Sequence, residues 1–197
     1  MEARPVTLRV NGRTHDVALA PNTTLLEALR DLGYTDVKSG CEKGDCGACA
    51  VLLDGVAVNS CLVLAWQAEG AEIVTNSGLG TIEKPHPIQE AFADTGAIQC
   101  GFCTSGMIVA TKALLDGNPD PTEDEIREAL SGNLCRCTGY GQIVEAVRVA
   151  AELLRRSSSS PASSLAEATS ASEDGREHDH EDRVLGSGDG AEAGDDT

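Results

Sequence analysis

The sequence predicts an α+β chain in three parts: a helix on a small mixed β-sheet in residues 1–78, a bundle of four short helices in 79–156, and a disordered acidic tail in 157–197. Three observations predict this organisation. Apolar residues alternate along the first part, recur every three or four positions in the second, and are scarce in the third. Each of the first two parts is small enough that a bound metal centre would add substantially to its stability.

The first part has the pattern of two β-hairpins flanking one helix. Asn-Gly and Asp-Gly pairs at 11–12 and 54–55 are typical of tight hairpin turns. Asn22 or Thr23 is positioned to cap the helix, whose leucines recur at helical spacing. In chain order, the predicted elements are a hairpin around 6–19, a helix over 24–32, a hairpin at 50–58 and a strand over 72–75.

Helical periodicity dominates the second part. A short helix is predicted near 87–95, and a second helix follows Cys103 and ends at Gly117. Thr122 and Glu125 form a capping box for the third helix. Apolar residues at helical spacing between 143 and 154 define the fourth. Short connections between four such helices favour a small bundle.

The charge balance argues against several classes of partner. The chain has 15 Lys and Arg against 32 Asp and Glu, a net charge of −17, whereas nucleic acid and anionic membranes require a basic surface. No apolar run approaches the about 18 residues of a membrane span, and the N-terminus does not resemble a signal peptide. We therefore expect a cytoplasmic chain with no nucleic acid and no membrane as partner. His178 and His180 are interpreted as part of the solvated tail, and His15 and His86 as ordinary surface residues.

All eight cysteines lie between residues 41 and 137, and they form two quartets. The first is Cys41-x4-Cys46-x2-Cys49, followed by Cys61. Its opening spacing matches that of plant-type [2Fe–2S] proteins, and the interspersed glycines allow the backbone to curl around a cluster. Zinc and buried structural thiols are the alternatives.

The second quartet consists of Cys100-x2-Cys103 and Cys135-x-Cys137. A C-x2-C pair alone is compatible with a redox-active dithiol or half of a zinc site. No βαβ pattern surrounds Cys100, however, and C-x-C is an unusual zinc spacing. The spacing therefore favours a second iron–sulfur cluster.

Four segments together resemble a known family, the iron–sulfur subunits of the molybdenum hydroxylases, which include xanthine dehydrogenase, aldehyde oxidoreductase and carbon monoxide dehydrogenase. The segments are GCEKGDCGAC at 40–49, NSCL at 59–62, QCGFCTSGM at 99–107 and GNLCRCTGY at 132–140. The resemblance covers residues 5–155 and includes all eight cysteines in order. It implies a plant-ferredoxin-like β-grasp domain followed by a four-helix domain, each with one [2Fe–2S] cluster.

The resemblance also implies a role for individual residues. Cys41, Cys46, Cys49 and Cys61 would ligate the cluster nearer FAD, and Cys100, Cys103, Cys135 and Cys137 the cluster nearer molybdenum. Gln99 and the Cys137 region would contact the pterin of a molybdenum cofactor in a partner subunit. Ser105 departs from the family, which usually has proline there, and we expect serine to cap the helix instead.

These features predict an electron-transfer subunit without a substrate site of its own. The resemblance implies a large subunit that binds the molybdenum cofactor and hydroxylates substrate with water, and a medium subunit that binds FAD. Xanthine or hypoxanthine is the first expectation for substrate, with aldehydes, carbon monoxide and N-heterocycles as alternatives. A stand-alone two-cluster ferredoxin and a zinc-stabilised interaction module are the competing interpretations from other classes.

Overall fold

A five-stranded mixed sheet and six helices make up the part of the chain described by the computed structural model, residues 2–158. The sheet contains β1 (Arg4–Val10), β2 (Arg13–Leu19), β3 (Ala50–Leu53), β4 (Val56–Asn59) and β5 (Glu72–Val74), in the spatial order β2-β1-β5-β3-β4. β1 and β5 run parallel, and every other neighbouring pair is antiparallel. The order places β3, which starts directly after Cys49, inside the sheet.

Local sequence signals explain the first hairpin and the first helix. Asn11 and Gly12 both have positive φ, 51° and 74°, as a tight turn between β1 and β2 requires. α1 (Leu25–Asp31) packs Leu25 and Leu29 against the buried residues of β1. Its cap is Thr24, in a capping box with Glu27, and not Asn22 or Thr23 as predicted. Thr24 is the cap because its hydroxyl accepts a hydrogen bond from the backbone N–H of the third helical residue.

The remaining helices follow the sheet in the chain. They are α2 (Asn76–Leu79), α3 (Pro87–Asp94), α4 (Thr104–Gly117), α5 (Glu123–Ala129) and α6 (Gly141–Ser158). Fully buried apolar residues of α3 to α6 form a second core, including Phe92, Met107, Ile126 and Ile143. The predicted Thr122–Glu125 capping box is present at the start of α5. α2 was not predicted, because its four residues are too few for a periodic pattern.

A small apolar contact joins the sheet to the helices. Val109 of α4 packs with Ala50 and Leu52 of β3, so the start of α4 lies against the segment that leads from Cys46 to β3. No helix within residues 2–158 is long and apolar enough to span a membrane. The predicted tail, including His178 and His180, lies outside the described residues apart from Ser157 and Ser158, which are the last two residues of α6 and not part of a disordered segment as predicted.

Candidate metal centres

The first cysteine quartet is carried by the loop between α1 and β3 and by a short 3-10 helix. Cys41 and Cys46 lie in the loop, Cys49 directly precedes β3, and Cys61 lies in the 3-10 helix Ser60–Leu62. Hydrogen bonds from the Ser60 backbone N–H and side-chain hydroxyl to the Cys49 carbonyl, 3.3 and 2.8 Å, hold the two buried cysteines side by side.

Two glycines let this loop close tightly. A Cβ at Gly40 would lie 2.9 Å from the Cys46 sulfur, and one at Gly44 would lie 2.4 Å from Leu62 Cδ1. Gly44 also has a φ of +81°, a left-handed conformation that favours glycine. The loop is therefore a cradle that side chains at these positions would fill, and this fits the close approach a metal cluster requires.

Backbone N–H groups converge on Cys41. Those of Lys43, Cys46 and Asp45 donate to its sulfur at 3.4, 3.4 and 3.3 Å, and they lower the pKa of Cys41 to about 7. Burial, with a contribution from the adjacent Cys49 thiol, raises the pKa of Cys61 to about 11. Donors aimed at a sulfur stabilise the thiolate, which is the form that binds metal.

The second quartet lies where α4 and α6 begin. Cys103 occupies the N-cap position of α4, and burial, followed by its contact with Cys135, raises its pKa to about 12. Cys100 and Cys137 are exposed, with their sulfurs 3.6 Å apart. The Phe102 backbone N–H and the Cys137 thiol lower the pKa of Cys100, whereas that of Cys137 is raised because its thiol donates to Cys100.

Several hydrogen bonds involve the sulfur and the backbone of Cys135. Burial opposes its ionisation, but hydrogen bonds from the Thr138 hydroxyl, 3.2 Å from the sulfur, and from nearby backbone N–H groups lower its pKa to about 7. The Cys135 backbone N–H donates to the Tyr140 hydroxyl at 2.9 Å. Sequence reasoning missed Thr138 and Tyr140 as supporting residues, although both lie in the quoted GNLCRCTGY segment.

Each quartet brings its sulfurs together in pairs. Cys41 interacts with Cys46 and Cys49 with Cys61, while Cys100 interacts with Cys137 and Cys103 with Cys135. Across residues 2–158, no group of three or more His, Cys, Asp or Glu side chains is placed to hold a single metal ion. Two thiolates for each iron is the arrangement of a [2Fe–2S] cluster, so the pairs fit such a centre.

Direct hydrogen bonds connect the two cysteine loops. The Leu134 N–H donates to the Cys46 carbonyl at 2.9 Å, and the buried Asn133 amide donates to the Gly47 carbonyl at 3.1 Å. The backbones approach so closely that a Cβ at Gly47 would lie 2.4 Å from the Gly132 carbonyl oxygen. The structure thus joins two segments that are far apart in the sequence.

Three expectations about single residues need correction, those for His15, His86 and Ser105. His15 and His86 are not free surface residues, because His15 Nε2 lies 2.8 Å from the Tyr34 hydroxyl and His86 Nδ1 accepts the Ile88 N–H at the start of α3. Ser105 does not cap α4, and its buried hydroxyl has no hydrogen-bond partner within residues 2–158. Cys103 occupies the cap position, so the serine already lies within the first turn. Gln99 is exposed beside Cys100.

Comparisons with protein families identify both halves of the described chain. Residues 8–77 match the 2Fe-2S iron-sulfur cluster binding domain, and residues 75–148 match the [2Fe-2S] binding domain. The chain therefore contains two [2Fe–2S]-binding domains.

Individual relatives agree with the family matches. The chain is 51% identical over 148 residues to the nicotinate dehydrogenase small FeS subunit of Eubacterium barkeri, covering 75% of this chain and 94% of the relative. It is 50% identical over 140 residues to the xanthine dehydrogenase iron-sulfur-binding subunit of Escherichia coli O157:H7, covering 70% and 88%. The structure of quinoline 2-oxidoreductase from Pseudomonas putida 86 aligns with a TM-score of 0.75 and 44% identity, covering 79% of this chain and 98% of that chain. The chain therefore belongs to the molybdenum hydroxylase family, as an iron–sulfur subunit whose two cysteine loops are joined by hydrogen bonds.

Proposed function

We propose that the chain relays electrons from a large subunit that binds a molybdenum cofactor to a medium subunit that binds FAD. The observation that carries this proposal is the hydrogen bond from Leu134 N–H to the Cys46 carbonyl. Leu134 directly precedes Cys135, so one hydrogen bond and a few covalent bonds link a cysteine of one quartet to a cysteine of the other. Such a bridge serves electron transfer between two centres.

The proposed ligands are the two quartets, with the first cluster on Cys41, Cys46, Cys49 and Cys61 and the second on Cys100, Cys103, Cys135 and Cys137. Each bound cluster supplies a one-electron redox step. The protein's part is to hold the sulfurs in pairs, to direct N–H and hydroxyl donors at Cys41 and Cys135, and to bury Cys49, Cys61 and Cys103. Donors and burial of this kind set the potential of a cluster.

The second quartet is the proposed contact with the molybdenum subunit. Cys100 and Cys137 are exposed, and so is Gln99, which we propose contacts the pterin together with the Cys137 region. Exposed apolar side chains lie beside the buried and half-buried cysteines of this quartet in the sequence, with Phe102 at 48% and Leu134 at 55% exposure. Apolar groups gathered around a functional site favour burial by a partner. The first quartet would then deliver electrons towards FAD.

We further propose that residues 1–78 form a plant-ferredoxin-like β-grasp domain and residues 79–156 a four-helix domain, one for each cluster. The mixed sheet with α1 across it supports the first assignment, and α3 to α6 around a shared core support the second. Because thiols remain reduced there, the cytoplasm is the proposed compartment for this cysteine-rich chain.

For the substrate of the complex we propose an N-heteroaromatic ring. Nicotinate, xanthine and quinoline, named in the relatives described above, are all of this class, and xanthine or hypoxanthine is the first compound to test. An aldehyde or carbon monoxide is the alternative. Specificity would reside in the molybdenum subunit, because substrate would be hydroxylated there.

Paired cysteine variants test the relay. The complex is purified from its own host with wild-type chain, Cys135→Ser or Cys41→Ser, reduced with dithionite, and examined by electron paramagnetic resonance. We expect two [2Fe–2S] signals in the wild type, loss of only the second in Cys135→Ser, and loss of only the first in Cys41→Ser. Both variants should stop electron flow from substrate to FAD. Loss of both signals in either variant would contradict two independent sites, and a colourless wild-type protein with bound zinc would support the zinc-stabilised module instead.

The visible spectrum of the wild-type complex tests the substrate class. Xanthine, nicotinate and an aromatic aldehyde are added separately under anaerobic conditions. Bleaching by either heterocycle, without bleaching by the aldehyde, is the expected result. Bleaching by the aldehyde alone would overturn the proposed substrate class and leave the relay intact.

A further inference from the structure

Tyr140 adopts a backbone conformation that is rare for its residue type. Its φ is 69°, in the left-handed region, and it follows Gly139 at a φ of 64°. A bulky residue holds this conformation only where surrounding contacts enforce it, and such residues cluster at functional sites. The ring packs against the core of α3 to α6, but that packing does not require the hydroxyl.

The hydroxyl of Tyr140 fixes the backbone on both sides of Leu134. It accepts the Cys135 N–H at 2.9 Å and donates to the Asn133 carbonyl at 3.1 Å. With both neighbours held, the Leu134 N–H is directed at the Cys46 carbonyl, 2.9 Å away. One phenol therefore orients the segment that forms the bridge between the two cysteine loops.

The backbone N–H of Tyr140 also supports Cys135, through the hydroxyl of Thr138. The Tyr140 N–H donates to the Thr138 hydroxyl at 3.2 Å, and this hydroxyl donates to the Cys135 sulfur at 3.2 Å. The Thr138 oxygen thus accepts the Tyr140 N–H, and the hydroxyl proton of Thr138 remains free to be donated to the sulfur. A hydrogen bond donated to a ligand sulfur favours the reduced, more negative cluster.

We propose that Tyr140 is a positioning residue that sets the potential of the second cluster and its coupling to the first. It acts through Cys135, by holding the backbone N–H and by aiming the Thr138 hydroxyl at the sulfur. This inference rests on the proposed electron relay, and it adds a residue that would not itself touch a cluster. Removal of the hydroxyl loosens segment 133–135, which weakens the bridge to Cys46 and lets the Cys135 sulfur move away from the Thr138 hydroxyl, although the Tyr140 N–H still holds that hydroxyl.

Tyr140→Phe in the whole complex tests this role, because phenylalanine retains the ring and loses only the hydroxyl. Redox titration followed by electron paramagnetic resonance should show the second cluster at lower potential and the first unchanged. The magnetic interaction between the two reduced clusters should weaken. The kcat should fall about 10-fold, as is typical when a supporting hydrogen bond is lost, with KM unchanged. The matched control is Tyr34→Phe, whose hydroxyl contacts His15 and should affect neither cluster.

A purely structural role for Tyr140 predicts a different result. Both clusters would be lost at a lower temperature, while their potentials and mutual coupling stayed as in the wild type, and that outcome would overturn the proposal. If Tyr140→Phe does not accumulate, Thr138→Val removes the donor to the Cys135 sulfur and must lower the potential of the second cluster alone. A wild-type complex without two clusters would instead refute the relay itself, so the two failures are distinguishable.

Discussion

The side-chain amide of Asn133 donates a hydrogen bond to the carbonyl oxygen of Gly47 at 3.1 Å, across 86 positions of the sequence. Asn133 is 6% exposed, and its side chain therefore supplies the Gly47 carbonyl with a partner that water cannot easily replace. This bond, together with the neighbouring bond from Leu134 to Cys46, makes the integrity of one cysteine loop depend on the other.

Asn133→Ala should weaken both cysteine loops together. It removes one of the two hydrogen bonds to the buried Gly47 carbonyl, which keeps only the Ala50 N–H at 3.1 Å, and the loss of one hydrogen bond costs about 0.5–1.5 kcal/mol. The measurement is the temperature at which the purified complex loses its iron–sulfur absorbance, and we expect it to fall for both clusters. Asn22→Ala, at an exposed asparagine, is the control and should leave this temperature unchanged. Equal behaviour of the two variants would contradict a role for Asn133 in holding the loops.

Gly47→Ala should prevent the loops from meeting. The added Cβ would lie 2.4 Å from the Gly132 carbonyl oxygen and 2.5 Å from the Asn133 amide nitrogen, and φ at Gly47 is +67°. Gly55→Ala is a close control, because φ there is +82° but no atom of the described residues outside the immediate chain neighbours lies within 4 Å of the added Cβ. The control should cost only the about 1–2 kcal/mol of a left-handed alanine. Iron content and paramagnetic signals should be near normal in Gly55→Ala and strongly reduced in Gly47→Ala; similar losses in both would exclude the steric explanation.

Local signals made much of the fold predictable. The Asn11-Gly12 turn and the Thr122–Glu125 capping box involve residues within four positions of each other, and both form as expected. The cap of α1 was misplaced by one or two residues, a typical boundary error, since Asn22, Thr23 and Thr24 are all competent caps.

The candidate sites were predictable in composition but not in internal arrangement. Spacing and glycines indicated two cysteine quartets, yet they do not state that Cys100 pairs with Cys137 and not with its sequence neighbour Cys103. The hydrogen bond from Leu134 to Cys46 could not be predicted from the sequence either, because backbone N–H and carbonyl groups are the same in almost every residue type. Such long-range contacts depend on how the helices pack against β3, which periodicity does not determine.

Ser105→Ala should stabilise the protein. The Ser105 hydroxyl is buried within the first turn of α4 and has no hydrogen-bond partner in the described part of the chain, so its removal recovers part of a desolvation cost of about 1–3 kcal/mol. The temperature of cluster loss should rise. Thr111→Val is the matched control, because the Thr111 hydroxyl is buried but donates to the Met107 carbonyl at 2.8 Å. Thr111→Val should not stabilise, and a lower temperature for Ser105→Ala would mean that the serine hydroxyl has a partner after all.

His86 should make stability depend on pH. Its Nδ1 accepts the Ile88 N–H at 3.2 Å, which requires the neutral ring, and burial followed by the positive charge of Lys112 lowers the pKa of His86, with Asp116 opposing. The unfolded chain, with a histidine pKa near 6.5, takes up a proton that the folded chain resists. The contribution of His86 to stability is therefore fully present above that value, and it decreases as pH falls through it towards the lowered pKa of the folded state. His86→Asn retains a capping side chain without a titrating group. Thermal loss of the clusters, measured from pH 7.5 to pH 5, should show the variant losing less stability than the wild type on acidification, and parallel curves would exclude His86 as the source of the dependence.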